Sequence, residues 1–397
     1  SLFVLFFTEM WERFSYYGMR ALLTLFLTSS LMKGGYGWES EDALGLYGLY
    51  TGLVYLTPLF GGMIADKFTG YRKAVVIGAF IMALGHASMA IEGNPNFFYM
   101  GLLLLILGNG LFKPNISSIV GQLYSDESKK DSAYTIFYMG VNSGAFVGIL
   151  LCGYLGEQIG WSWGFGVAGI FMLFGLIQFW LAQNIFGDIG LKPEKGNEEK
   201  VVLKEGEKLN PFTSLEMTLI IISSTLGLSW ILNDPISKIS EGTYNLFGFE
   251  IFGFAGENVA ILTALLIFVV LLIIRIPKYV KTTRDKMLAV VFFCFITIFF
   301  WAIFEQSPGT LTIFANDYTD RTLDGTSANI FRIVNAAMTI IPLAIITWVL
   351  YLLFKQTFGK YAMANIVLSF SFLIVWGIAI WMLLDQLKDD NLEVPAS

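Results

Sequence analysis

Glu9, Glu12, Arg13 and Arg20 stand inside a run that is otherwise apolar from Leu2 to Leu27. A charge at the centre of a membrane helix costs about 2.5–3.5 kcal/mol even on insertion scales, so such groups are usually paired and functional. At about 100° per residue, Glu9, Glu12, Arg13, Tyr16 and Arg20 fall within about 100° of one another. They form one stripe, and the opposite face of the helix is expected to meet lipid. Carboxylates interleaved with guanidinium groups form ion pairs. Such a stripe requires a water-filled cavity or a buried ion-pair network.

Four further segments carry polar chemistry at membrane depth. In Gly108-Asn109-Gly110-Leu111-Phe112-Lys113-Pro114-Asn115, Lys113 needs a carboxylate, and Glu9 and Glu12 are available; a purely structural ion pair is the alternative. Pro114 frees a backbone carbonyl there. Ile136–Phe146 combines small residues for close helix packing with Tyr138 and Asn142 for hydrogen bonding. Trp301-Ala302-Ile303-Phe304-Glu305-Gln306 sets a lone carboxylate among aromatics, which makes Glu305 a proton-binding candidate. Gly61–Lys73 joins glycines that allow close helix approach to Asp66, Arg72 and Lys73, whose ion pairs are expected to form and break at a membrane boundary.

Other chemistries lack their residues. The single histidine, His86, is expected to be a core or interfacial side chain. No H-E-x-x-H, no phosphate-binding loop and no nucleophile–base constellation occurs, so neither an enzyme nor direct nucleotide drive is indicated, and no metal or other cofactor is expected. Cys152 and Cys294 sit in apolar runs and are expected to be packing residues.

These segments need helices to hold them. The chain of 397 residues is 55% hydrophobic and 14% charged, where soluble domains carry about 25% charged residues. The expected fold class is all-α and polytopic. Eleven runs are long enough to span a bilayer: 2–32, 42–65, 74–92, 96–123, 132–156, 163–186, 214–233, 257–276, 287–315, 329–354 and 362–384. With a cytoplasmic N-terminus, seventeen of the 25 basic residues fall in inside loops and five in outside loops, as the positive-inside rule requires. The polar, mixed-charge segment 187–213 is expected to be a cytoplasmic linker.

Glu9-x-x-Glu12-Arg13-Phe14-x-Tyr16-Tyr17 resembles the first-helix signature of the proton-dependent oligopeptide transporter family, a branch of the major facilitator superfamily, without a mismatch. The 61–73 loop, Lys113 in span four and the span-five pattern follow in the family's order. The resemblance covers about residues 1–316 and implies the major facilitator fold. It implies a proton-coupling network of Glu9, Glu12, Arg13 and Lys113, with Glu305 as a second protonatable and gating site. It also implies that Arg20, with Lys113 and Asn142, receives a peptide carboxylate. Tyr17, Tyr55, Tyr138, Trp301 and Phe304 would line the peptide cavity, and Asp66, Arg72 and Lys73 would form the gating loop.

The implied division is 1–186 as the N-terminal six-helix bundle, 187–213 as linker, 214–280 as an inserted helix pair, 281–316 as the first helix of the C-terminal bundle, and 317–397 as an additional hairpin with an outside segment. Ser143 departs from the family's usual aliphatic or small apolar residue, with little expected effect. Ser1 is not an initiator Met, and about five further helices are expected beyond this sequence. The expected activity is proton-coupled import of di- and tripeptides by alternating access across the plasma membrane, multi-pass with the N-terminus inside. The alternatives are another small carboxylate or drug-like substrate, or a membrane sensor that does not transport. The expected partners are peptide, protons and lipid, with no nucleic acid, and the expected working unit is a monomer.

Overall fold

The computed structural model describes residues 1–192, 210–239, 242–388 and 391–397. Most of the expected linker, with Lys195, Lys200, Lys204 and Lys208, lies outside the described residues. The described helices, in chain order, are α1 (Leu2–Thr28), α2 (Ser40–Ile64), α3 (Tyr71–Met89), α4 (Pro95–Gln122), α5 (Glu127–Gln158), α6 (Trp161–Ala182), α7 (Ser214–Ile239), α8 (Gly256–Arg275), α9 (Lys281–Phe304), α10 (Thr312–Tyr318), α11 (Gly325–Thr357) and α12 (Ala362–Asp385). Two short antiparallel ribbons interrupt them: β1 (Glu250–Ile251) with β2 (Phe254–Ala255), and β3 (Thr322–Leu323) with β4 (Leu392–Glu393). Among the described residues, ten helical segments are long and apolar enough to cross a membrane. At 27 residues α1 matches them in length, and its charges set it apart. The protein is a multi-pass membrane protein of the all-α class.

The chain divides into two compact units, Ser1–Glu194 with Pro308–Ser397, and Lys195–Ser307. In the first, α1 is the central helix. Gly140, Gly144 and Gly148 of α5 lie against the carbonyls of Phe6, Met10 and Phe14, and a Cβ on Gly144 would come within 2.1 Å of Met10 O. Small residues of this kind let helix backbones approach closely in lipid. On another side, Trp11 stacks on Phe171 of α6 at 4.9 Å and Phe14 meets it at 4.5 Å. Phe372 of α12 meets Trp11 at 5.4 Å and Phe7 at 5.7 Å. Between Leu2 and Leu27 only Phe3 and Tyr17 are partly exposed. The expectation that lipid meets the back of α1 is therefore corrected, because the α5 glycine seam, α6 and α12 cover it.

The remaining seams of this unit follow the same logic. Gly61 of α2 lies on the Gly110 carbonyl of α4, the acceptor that Pro114 leaves without its helical donor. Gly78 of α3 and Gly108 of α4 each face the other's carbonyl. His86 is fully buried, with Gly169 of α6 against its Cβ. Tyr154 of α5 donates to Asp385 Oδ2 of α12 at 2.6 Å, and Glu157 accepts the backbone N–H groups of Ala396 and Ser397 at 2.9 Å each.

In the second unit α7 and α8 pack as a pair, with Ser223 donating to Ala264 O at 2.9 Å. Thr213 and Glu216 form a reciprocal N-terminal cap on α7: Thr213 N–H donates to Glu216 Oε2 at 2.7 Å and Glu216 N–H to Thr213 Oγ1 at 3.3 Å. Glu216 also holds Lys278 at 3.0 Å and Arg275 at 3.4 Å. The expected span 287–315 is not one helix. It ends at Phe304, passes through a π-helical turn at Ser307–Leu311 and resumes as α10. Pro308, which has no N–H to continue the ladder, sits in that turn. The change of unit falls there too, after Ser307.

Candidate functional site

Helix α1 turns its charged stripe toward α4 and α2. Glu9 and Glu12 are fully buried, and Arg13 is nearly so. Arg13 Nη2 donates to Glu12 Oε1 at 2.6 Å while its Nε donates to Glu12 Oε2 and lies 3.3 Å from Glu9 Oε1. From α4, Lys113 Nζ donates to Glu9 Oε1 and Asn109 Nδ2 donates to Glu12 Oε1 at 3.1 Å. Two carboxylates and two cations thus balance. The Lys113 side chain keeps 30% of its surface exposed, so the network has an open edge. A buried pair of this kind is costly to break, because the surviving charge is left unpaired at a cost of about 3–5 kcal/mol.

Arg20 forms a separate cluster, roughly 16 Å from Glu9 along α1 at 1.5 Å per residue. Its Nη2 donates to the Tyr47 hydroxyl of α2 and its Nη1 to the Tyr16 hydroxyl at 3.2 Å. The guanidinium lies over the rings of Tyr16, Tyr47 and Tyr17, at 5.1, 5.3 and 5.6 Å. The Tyr17 ring also faces Arg13 at 5.9 Å, so it links the two clusters. The guanidinium fork suits a carboxylate, and the flat rings preset its plane.

The structure brings together Glu9, Glu12, Arg13 and Lys113, and sets Arg20 and Tyr17 beside them. Lys113 is engaged with Glu9. Tyr55 of α2 and Tyr138 of α5 are 52% and 57% exposed, and Asn142 is exposed as well. Trp301, Phe304 and Glu305 belong to the second unit, where Trp301 and Phe304 meet edge-on at 5.5 Å and Glu305 follows the last turn of α9.

The gating loop differs from expectation. Asp66 and Lys73 are exposed, while Arg72 is buried and binds main chain. Its Nε donates to Ile189 O at 2.6 Å, its Nη2 to Gly187 O, and its backbone N–H to Gly190 O at 3.0 Å. The segment after α6 turns through left-handed backbone at Gly187 and Gly190, which aims these carbonyls at Arg72. In this structure Arg72 thus clamps backbone.

The residues that sequence reasoning assigned no role are Asn109, Tyr47 and, as a partner of Arg20, Tyr16. Asn109 stands one turn before Lys113, the i, i+4 spacing that puts both on one face. That spacing was the available signal. Nothing in the spacing of Tyr47 separates it from a packing tyrosine.

The POT family model (PTR2) matches residues 72–382. It therefore runs through α11 and nearly all of α12, which the sequence reading had set outside the resemblance as an additional hairpin. "Peptide transporter YePEPT" of Yersinia enterocolitica subsp. palearctica serotype O:3 (strain YE-P4) is 34% identical over 359 residues, 87% of this chain and 66% of that protein. The "Di-/tripeptide transporter" of Lactococcus lactis subsp. cremoris is 31% identical over 316 residues, 79% of this chain and 60% of its own length. The chain thus spans a little under two thirds of the length of these relatives. A crystal structure of peptide transporter POT in complex with sulfate superposes with a TM-score of 0.60 at 30% identity, covering 90% of this chain and 69% of that one. A POT structure in complex with alafosfalin gives 0.62 at 26% identity, with 95% and 79% covered. The fold is that of the major facilitator superfamily, and with the family model matching residues 72–382, the chain belongs to the POT family.

Proposed function

We propose that the protein is a proton-coupled symporter that imports di- and tripeptides by alternating access across the plasma membrane, with its N-terminus in the cytoplasm. The observation that carries this reading is the placement of two charge clusters on one helix: the balanced Glu9–Glu12–Arg13–Lys113 network and the tyrosine-lined Arg20. The printed names of the relatives, a peptide transporter and a di-/tripeptide transporter, support the substrate class. In the proposed cycle a proton neutralises Glu9 and leaves Lys113 without its counter-charge. The cation gained by the network then biases the equilibrium between conformations. A proton moves such an equilibrium only by its differential affinity for the two states, and each pH unit of gradient supplies about 1.4 kcal/mol.

Arg20 receives the peptide carboxylate, and Tyr17, Tyr55, Tyr138 and Asn142 contribute to the peptide cavity. Trp301, Phe304 and Glu305 enter the proposal on the family resemblance, Glu305 as a further protonatable group. Asp66, Arg72 and Lys73 act at the gating loop, with Arg72 as its fixed point. The test is uptake of labelled dialanine by the full-length protein in proteoliposomes under an imposed pH gradient. Accumulation against the peptide gradient, abolished by a protonophore, is expected. Absence of accumulation overturns the reading.

A further inference from the structure

The two carboxylates of the network are held unequally. Glu12 Oε1 accepts from Arg13 Nη2 at 2.6 Å and from Asn109 Nδ2 at 3.1 Å, and Glu12 Oε2 accepts from Arg13 Nε. Glu9 is held by one oxygen. Its Oε1 faces Lys113 and Arg13, while its Oε2 is buried with no hydrogen-bond partner among the described residues. Asn109 is itself 2% exposed and donates an uncharged hydrogen bond to this network. One face of α4 therefore addresses Glu12 with an amide and Glu9 with an ammonium.

We propose that Asn109 is a positioning residue that assigns the coupling proton to Glu9, by holding Glu12 as an anion on Arg13. The proposal rests on reading the chain as proton-coupled. A hydrogen bond donated to a carboxylate favours its charged form. An amide neither gives up nor takes a proton at physiological pH, so its hold on Glu12 persists when Lys113 lets go of Glu9. Protonation then has one preferred site: the proton enters from water onto Glu9 Oε2, Glu9 becomes neutral, and Lys113 keeps its charge.

The titratable and charged groups around Glu12 are Glu9 and Arg13 on its own helix, Lys113 on α4 and Tyr50 on α2. Helix α6 carries no titratable side chain, and α5 meets this stretch of α1 through Gly140 and Gly144. Among these groups, Asn109 is the neutral donor that distinguishes the two glutamates.

The test is an infrared pH titration of the full-length protein in nanodiscs, following the C=O stretch of buried protonated carboxyls. The wild type is expected to show a titrating carboxyl that Glu9→Gln removes and Glu12→Gln leaves in place. Asn109→Leu, of similar branching and without a donor, is expected to add a second titrating carboxyl that Glu12→Gln removes. Its midpoint should lie at least about one pH unit above that of Glu12 in the wild type, tenfold in proton affinity. Asn109→Ala removes the same donor without adding bulk and is expected to act in the same direction, so it decides the matter if the leucine variant does not fold. Wild-type titration curves in both variants, or loss of the wild-type band in Glu12→Gln, would overturn the proposal. The titration needs no substrate. Failure of dialanine uptake with the expected spectra would count against the transport reading and not against the role of Asn109.

Discussion

Lys113 and Glu9 hold each other across two helices, and each becomes a buried, uncompensated charge if its partner is removed. Lys113→Ala is expected to lose gradient-driven accumulation while keeping peptide exchange in a counterflow assay. It should also lower thermal stability, by up to about 3–5 kcal/mol if Glu9 stays ionised. The double variant Lys113→Ala/Glu9→Gln should recover most of that stability without recovering accumulation, as read by melting temperature and uptake side by side. At Arg20, amidating the peptide C-terminus is expected to weaken competition at least tenfold, about 1.4 kcal/mol. Arg20→Lys, which keeps the charge and loses the fork, should weaken binding of unmodified peptide similarly, and equal affinity would remove Arg20 from the carboxylate role. The charged members of the site were legible in the sequence because charge at membrane depth is expensive and therefore conspicuous. Asn109, Tyr16 and Tyr47 were not, because an amide or a phenol inside a membrane helix is equally at home in packing, and only the partner across the helix gives it a role.

At the level of elements, glycine seams set how closely α1 can approach α5. Gly144→Leu places its side chain on the Met10 carbonyl. It should cost at least the usual 1–3 kcal/mol of overpacking, seen as a lower melting temperature and a loss of monodisperse protein, with Gly144→Ala intermediate. Arg72 governs the segment that follows α6. Arg72→Lys cannot reach the carbonyls of Gly187 and Ile189 together. Faster amide hydrogen exchange over residues 187–191 is therefore expected, and unchanged exchange would deny Arg72 its clamping role. Span positions followed from apolar length and hardly moved on inspection of the structure. The clamp was hidden because two left-handed glycines create it, and sequence shows that glycines are present but not which way they turn the chain. The break of α9 carried its signal in Pro308, yet the apolar run across it concealed the interruption.

For the molecule as a whole, the division into units separates the α1-centred cluster, with α11 and α12, from the α7–α9 unit. The alternation of basic loops supported span count and orientation together, because each loop constrains its neighbours. The extent of the family's pattern was misjudged, because α11 and α12 are plain apolar helices without a polar motif to mark them. The burial of α1 on every side bears on how the protein is made. Alone in a bilayer, α1 exposes four charges at roughly 2.5–3.5 kcal/mol each. The lysine and asparagine that satisfy its two carboxylates belong to α4 and are synthesised about 100 residues after them, some 5–20 s at 5–20 residues per second. The nascent first helix therefore has to wait beside the insertion machinery until its fourth neighbour arrives.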